Sequence, residues 1–174
     1  MHRPTRALIS VSDKNGLLEL ARDLHEAKFE IIASDGTAET LRSAGIPVTQ
    51  VSEITGFPEI LGGKVKTLHP KIHGAILASE SESSELEKLG ITPIDIVIVN
   101  FYNPDFFDIG GPAIVRAAAK NHKRVSIITS PDQYNELREA LKTGISPAMR
   151  RVWARDAIAM TARYDLEKIG RAHV

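Results

Sequence analysis

Four short segments of this chain gather side chains that can hold an anion or move a proton. Ser12-Asp13-Lys14 and Ser34-Asp35-Gly36-Thr37 each follow an apolar run of strand length. At the second, a following helix offers unpaired N–H groups and a positive dipole end. Gly36 permits close backbone approach, and the hydroxyls of Ser34 and Thr37 complete a phosphate cradle with Lys14 as a point charge. The same hydroxyls equally suit plain helix caps. In the third segment, Lys64-Val65-Lys66-Thr67-Leu68-His69-Pro70-Lys71, cations crowd a stretch restrained by Gly62-Gly63 and Pro70. It reads either as a solvated surface or as a fixed loop facing an anion. The fourth runs from Asn100-Phe101-Tyr102 to Asp108-Ile109-Gly110-Gly111-Pro112 and into a helix carrying Arg116, Lys120 and Asn121. Asp108 falls near the positive end of that helix, and Lys120 taken alone reads as a snorkelling surface lysine.

Other chemistries lack support. The chain has no cysteine, which excludes disulfides, thiolate metal sites and cysteine nucleophiles and suits a reducing cytoplasm. His69 and His73 are four apart, but Pro70 between them and the lack of a nearby carboxylate argue against a metal site. There is no G-x-x-x-x-G-K-[ST], no G-x-G-x-x-G after the first strand and no G-x-S-x-G. Twenty-two Lys plus Arg balance 22 Asp plus Glu, which removes the electrostatic case for a nucleic-acid polymer as partner. No apolar run is long enough to span a bilayer, and Met1 to Arg6 lead straight into a strand without a signal-peptide pattern.

The elements that must position these segments alternate between strand and helix, the pattern of a mainly parallel sheet covered by helices. Strands are expected at Ala7–Val11, Glu30–Ala33, Pro47–Val51, Ile72–Ala78, Ile94–Val99 and Val125–Ile128. Helices are expected from Leu17 to Ala27, to about Ala44, over 111–122, and at about 131–143 and 146–168. The stretch from Val51 to Ile72 reads as functional loop with one helical turn, and Glu80–Leu89 as solvated helix or loop. At 174 residues, with 43% hydrophobic and 25% charged, the chain is expected to form one domain. In such sheets ligands sit at the carboxyl ends of the strands, where all four segments fall.

Taken together, Ser10-Val11-Ser12-Asp13-Lys14, Thr55-Gly56-Phe57-Pro58-Glu59, Val65-Lys66-Thr67-Leu68-His69-Pro70-Lys71-Ile72-His73-Gly74, Asp108-Ile109-Gly110-Gly111 and Arg116-Ala117-Ala118-Ala119-Lys120-Asn121-His122 resemble the inosine monophosphate cyclohydrolase domain. The resemblance covers essentially the whole chain. It implies a three-layer α/β/α sandwich like that of methylglyoxal synthase, and dehydrative closure of a purine ring without metal or redox cofactor. A homodimer is implied as well, and a transformylase domain, which usually follows in that family, lies outside this sequence.

By resemblance, Ser12, Asp13, Lys14, Ser34, Asp35, Gly36 and Thr37 would hold the ribonucleotide phosphate and ribose. Lys64, Val65, Lys66, Thr67, Asn100, Phe101, Asp108, Ile109 and Gly110 would line the base side. Lys120 matches the family's proton-transfer lysine, with Lys66, Tyr102 and Asp108 assisting. Three positions depart from the pattern: Asp35 replaces a glycine, Lys64 replaces an arginine, and Tyr102 is followed by Asn103-Pro104 and a shortened run to Asp108. Two alternatives remain open at this stage. One is methylglyoxal synthase, which the lysine-rich motifs disfavour; the other is a non-catalytic module of the same fold that binds a nucleotide or phosphometabolite.

Overall fold

Residues 5–101 and 107–171 are described by the computed structural model of the chain. Five strands, β1 (Thr5–Val11), β2 (Phe29–Ala33), β3 (Thr49–Gln50), β4 (Ile96–Asn100) and β5 (Ser126–Ile128), lie in the order β3-β2-β1-β4-β5, and every pair is parallel. The helices are α1 (Leu17–Glu26), α2 (Asp35–Ser43), α3 (Val51–Thr55), α4 (Pro70–Leu77), α5 (Ser83–Lys88), α6 (Gly110–Lys120), α7 (Tyr134–Thr143) and α8 (Pro147–Arg171).

Strand alternation divides the core into two layers. Ala7, Ile9, Val11, Ile31, Ile96 and Ile98 face α1, α2, α7 and part of α8, where Leu17, Leu20, Leu24, Leu41, Leu137 and Trp153 complete one apolar cluster. Leu8, Ile32, Val97 and Val99 face the other way, onto Ile72 and Ile76 of α4 and Ile114, Val115 and Ala118 of α6. The three layers of the expected sandwich are therefore present. Helix α8 serves both: Trp153 is buried in the first cluster, and Ala154 and Ala157 in the second. The Trp153 indole donates to Glu136 Oε2 at 2.8 Å, so the ring is buried without an orphaned N–H.

Two expected strands differ. Ile72–Ala78 is helical: Pro70 sits in its first turn, and His69 Nδ1 accepts the Lys71 amide at 3.2 Å as an N-cap. Ile72, Ala75 and Ile76 are its buried residues, a spacing of three and four that belongs to one helical face rather than a strand. The third strand shrinks to Thr49–Gln50 because Val51 already opens α3, where Gln50 and Glu53 make a reciprocal capping box. That helix is the single turn expected between Val51 and Ile72, and Glu80–Leu89 resolves into a 3-10 turn followed by α5. Among the described residues no helix is long and apolar enough to cross a membrane.

Candidate functional site

The sheet order places β1 between β2 and β4, so the chain winds to one side and then the other, and the crevice outside β1 and β4 is the topological switch point. Val11 and Asn100 are register partners at the carboxyl ends of these strands. Asn100, buried, reaches across: its Oδ1 accepts the amides of Ser12 (2.7 Å) and Asp13 (2.8 Å), and its Nδ2 donates to the Asp13 carbonyl at 3.0 Å. The Asp13 carboxylate accepts the Asn15 amide at 2.9 Å. The β1–α1 turn is thereby fixed, with Ser12 and Lys14 left exposed above it.

Beside it stands the start of α2. Neither hydroxyl caps that helix. Ser34 Oγ lies 3.1 Å from Ser10 Oγ, while Thr37 Oγ1 takes the Val11 amide at 3.3 Å and donates to the Val11 carbonyl. These bonds tie α2 to β1 and leave the first N–H groups of the helix without a side-chain cap, which is the condition for anion binding there. Gly36 is exposed, and nothing lies within 4 Å of where a Cβ would stand. Asp35 turns aside, its Oδ1 accepting from Gln50 Nε2 at 3.4 Å at the β3 edge.

The loop from Glu59 to Thr67 folds back through a bridge between Ile60 and Val65, with both amides paired across it. Leu61, Gly62 and Gly63 all have positive φ (55°, 64° and 86°), which folds the loop tightly and brings Glu59 beside Lys66, 3.6 Å between Oε1 and Nζ. Burial pushes the Glu59 carboxyl above its ordinary range; the Lys66 ammonium opposes this, and the Asp35 carboxyl beside it adds to it. Lys64 is exposed, Lys66 half-buried and Thr67 buried.

Thr67 then meets the start of α6. Its Oγ1 is 3.1 Å from the position a Cβ would take on Gly110, and Asp108 Oδ1 is 3.9 Å from the same point. Asp108 Oδ1 accepts the Gly111 amide at 3.0 Å, while its own amide donates to the Tyr164 hydroxyl at 2.8 Å. Phe101, buried, packs edge-on against the Tyr164 ring at 4.6 Å, and Ile109 is exposed at the rim. A carboxylate, a buried hydroxyl and a helix start thus converge beside the cationic loop.

Lys120 is not brought to this cluster within one chain. It is exposed at the last residue of α6, about 15 Å along the helix axis from Gly110. Its neighbour Asn121 donates to the carbonyls of Ile76 and Ala78, and Arg124 to that of Ile94 ahead of β4, which fixes this end of α6 at the amino-terminal edge of the sheet. Tyr102 and residues 103–106 lie outside the described residues. His69 is a helix cap, and no group of three or more His, Asp or Glu able to hold a metal occurs among the described residues.

Sequence reading missed Glu59, Tyr134 and Tyr164 as site residues. Tyr164 is 56 positions from the amide it holds, and only α8 folding back makes them neighbours. Tyr134, buried at the start of α7, lies beneath Asp13 and Asn100, and burial raises its phenol to about 12. Glu59 closes the motif Thr55–Glu59, which was a signal in itself.

Residues 16–129 match the family described as MGS-like domain, and residues 118–170 the one described as AICARFT/IMPCHase bienzyme. The chain is 49% identical over 187 residues to the bifunctional purine biosynthesis protein PurH of Synechococcus sp. (strain CC9605), an alignment that covers 95% of this chain and 36% of that protein. To the protein of the same name from Desulfitobacterium hafniense (strain DSM 10664 / DCB-2) it is 50% identical over 179 residues, 92% of this chain and 35% of the other. The crystal structure of ForH superposes with a TM-score of 0.86 at 33% identity, over 94% of this chain and 96% of that one. The chain spans about a third of the length of the curated relatives it matches. With the match running through four of the five strands, β2 to β5, and over more than half of its length, the chain belongs to the MGS-like domain family.

Proposed function

We propose that the chain is an inosine monophosphate cyclohydrolase: it closes 5-formamidoimidazole-4-carboxamide ribonucleotide to inosine monophosphate and water, in the cytoplasm and as a homodimer. The observation that carries this reading is the meeting of the Lys66–Thr67 loop with Asp108 at the start of α6, opposite an anion cradle formed by Ser12, Lys14 and the uncapped first turn of α2. The PurH relatives, whose name assigns them to purine biosynthesis, support the same substrate class.

In the reaction the carboxamide nitrogen bonds to the formyl carbon and gives up one proton, the formamide nitrogen gives up its N–H proton as a C=N double bond forms, and the C–O bond breaks so that the former formyl oxygen leaves with two protons as water. The cradle holds the ribonucleotide phosphate with Ser12 and Lys14, and the exposed face of Gly36 admits it. Asn100, by fixing the β1–α1 turn, sets where those groups stand. Lys66 offsets charge developing on the formyl oxygen and supplies a proton to the departing hydroxyl. Asp108, with Oδ1 engaged by the Gly111 amide, has Oδ2 to orient the carboxamide and accept its proton. Lys120 joins this chemistry only from a second copy of the chain, given its place on the opposite edge. Mixing the purified chain with the formamido ribonucleotide and following inosine monophosphate by absorbance and chromatography tests the proposal. Turnover well above the uncatalysed rate is expected. A folded sample that binds the nucleotide without converting it overturns the assignment in favour of a nucleotide-binding module.

A further inference from the structure

Tyr164 has no part in the chemistry set out above, yet its hydroxyl meets the site at the carboxylate residue that is to take the carboxamide proton. Ala154, Ala157, Thr161 and Tyr164 follow one another on α8 at steps of three and four, which puts them on one face of the helix, and the first three are buried. The stripe ends at the entrance to α6. There the Tyr164 ring packs edge-on against the buried Phe101 with centroids 4.6 Å apart, lies 6.0 Å from the Phe107 ring, and has Lys168 Nζ 5.4 Å from its centroid. With three neighbours about the ring, the hydroxyl is aimed by packing rather than by the partner it meets.

That partner is the Asp108 amide, which donates to the phenol oxygen at 2.8 Å. Asp108 stands between the exposed Phe107 and Ile109, so its chain neighbours do not pack it into place, and its amide precedes the hydrogen-bonded ladder of α6. Two bonds hold it instead, one from the amide to Tyr164 and one from the Gly111 amide to Oδ1 at 3.0 Å. The fit is close. A Cβ on Gly111 would stand 2.5 Å from Asp108 Oδ2 and 3.0 Å from Phe101 Cδ1, so the carboxylate occupies the space that a missing side chain leaves, and the Tyr164 ring backs the Phe101 that lines it. We propose that Tyr164 is the positioning residue for Asp108: it holds the amide through its hydroxyl and supports Phe101 through its ring, and together these set where Oδ2 stands. Without the hydroxyl, Asp108 is held at one point, the Gly111 amide, and its carboxylate can turn about that bond.

The kinetic consequences rest on the cyclohydrolase reading, whereas the anchoring of Asp108 does not, and the two are tested apart. Amide hydrogen exchange followed by NMR on the nitrogen-15-labelled chain needs no turnover. Tyr164→Phe keeps the ring and removes the hydroxyl. In that variant the Asp108 and Gly111 amides are expected to exchange at least about tenfold faster while the amides of β4 keep their parental rates. Unchanged exchange at Asp108 overturns the anchoring, and faster exchange throughout β4 makes the hydroxyl a merely structural group and overturns it as well. In turnover, Tyr164→Phe is expected to lower kcat about tenfold or more with KM within about threefold. A parental kcat, or a loss confined to KM, overturns the positioning role. Tyr164→Leu, which also takes the ring from behind Phe101, is expected to lose more of kcat than Tyr164→Phe; an equal loss overturns the share given to the ring. If the parent does not turn over while Tyr164→Phe frees the Asp108 and Gly111 amides, the cyclohydrolase reading fails and the anchoring of Asp108 by Tyr164 stands.

Discussion

The Asn100 side chain grips the Asp13 peptide unit from both sides, accepting its amide at 2.8 Å and donating to its carbonyl at 3.0 Å. One residue at the end of β4 therefore sets the conformation of the turn leaving β1, across the strand boundary at which the winding of the sheet reverses. Only a side chain with an acceptor and a donor on one planar group can do both.

Removing that group should therefore loosen the anion cradle before it unfolds the protein. Asn100→Ala leaves the Asp13 amide without its acceptor and should cost about 1–3 kcal/mol in denaturant unfolding. Asn100→Asp keeps the acceptor but turns an anionic oxygen toward the Asp13 carbonyl, so it should not restore function. Both variants are expected to raise KM at least about tenfold with a smaller change in kcat. An unchanged KM in either would remove the turn from the binding site.

Two glycines should respond in opposite ways to the same substitution. At Gly111 an added Cβ would stand 2.5 Å from Asp108 Oδ2 and 3.0 Å from Phe101 Cδ1, so Gly111→Ala must move the carboxylate and should lower kcat about tenfold or more. At Gly36 the space is open and the residue is helical, so Gly36→Ala should preserve or raise stability by about 0.5 kcal/mol. It should nevertheless raise KM, because the methyl group occupies the approach to the first turn of α2. Thermal melts and initial rates on the two variants separate these effects.

Much of this architecture was legible from residue order. The β-branched run Ile96-Val97-Ile98-Val99 announced a strand covered on both faces, and all five residues of β4 are buried. The helical spacing of Leu17, Leu20, Ala21 and Leu24 announced the buried face of α1. Ile72–Ala78 misled because its small size and high apolar content suit a strand, whereas the decisive features were Pro70 and the His69 cap. Within the candidate site, local motifs singled out Ser12, Lys66, Thr67 and Asp108 as candidates. What they could not convey was long-range pairing: Asn100 with Asp13, Asp108 with Tyr164, and the length of α6, which carries Lys120 away from the motif that introduces it. Those relations depend on topology and on helix rise, neither of which a motif records.

Tyr134 provides a test of stability against pH. Burial holds its phenol neutral to about 12 in the folded protein, against about 10 in an unfolded chain. Because the folded value is the higher one, this stabilisation is complete below about pH 10 and is lost as pH rises toward 12, amounting to at most about 3 kcal/mol. Denaturant unfolding at pH 8, 10 and 11.5 should show the parent losing stability over that window, with Tyr134→Phe losing correspondingly less. At pH 8 the phenylalanine variant should be as stable as the parent or more so, since the buried hydroxyl has no hydrogen-bond partner among the described residues. A large loss at pH 8 would mean that the hydroxyl is bonded after all.

The separation of Lys120 from Lys66 leads to the sharpest experiment on assembly. Lys66 stands in the cradle-facing loop, and Lys120 ends a helix that runs to the opposite edge of the sheet. If both lysines serve one reaction in a homodimer, Lys120 must come from the second copy. Lys66→Ala and Lys120→Ala should then each lose turnover at least about 100-fold while still binding the nucleotide. Their one-to-one mixture, exchanged and reassociated, should recover about a quarter of parental activity, because half of the dimers are mixed and each mixed dimer carries one intact site. Two inactive variants that never complement would place Lys120 in a role within its own chain, reached by a movement of α6. A fully active Lys120→Ala would instead make it the exposed surface lysine that its position on α6 describes, leaving Lys66 and Asp108 to carry the ring closure.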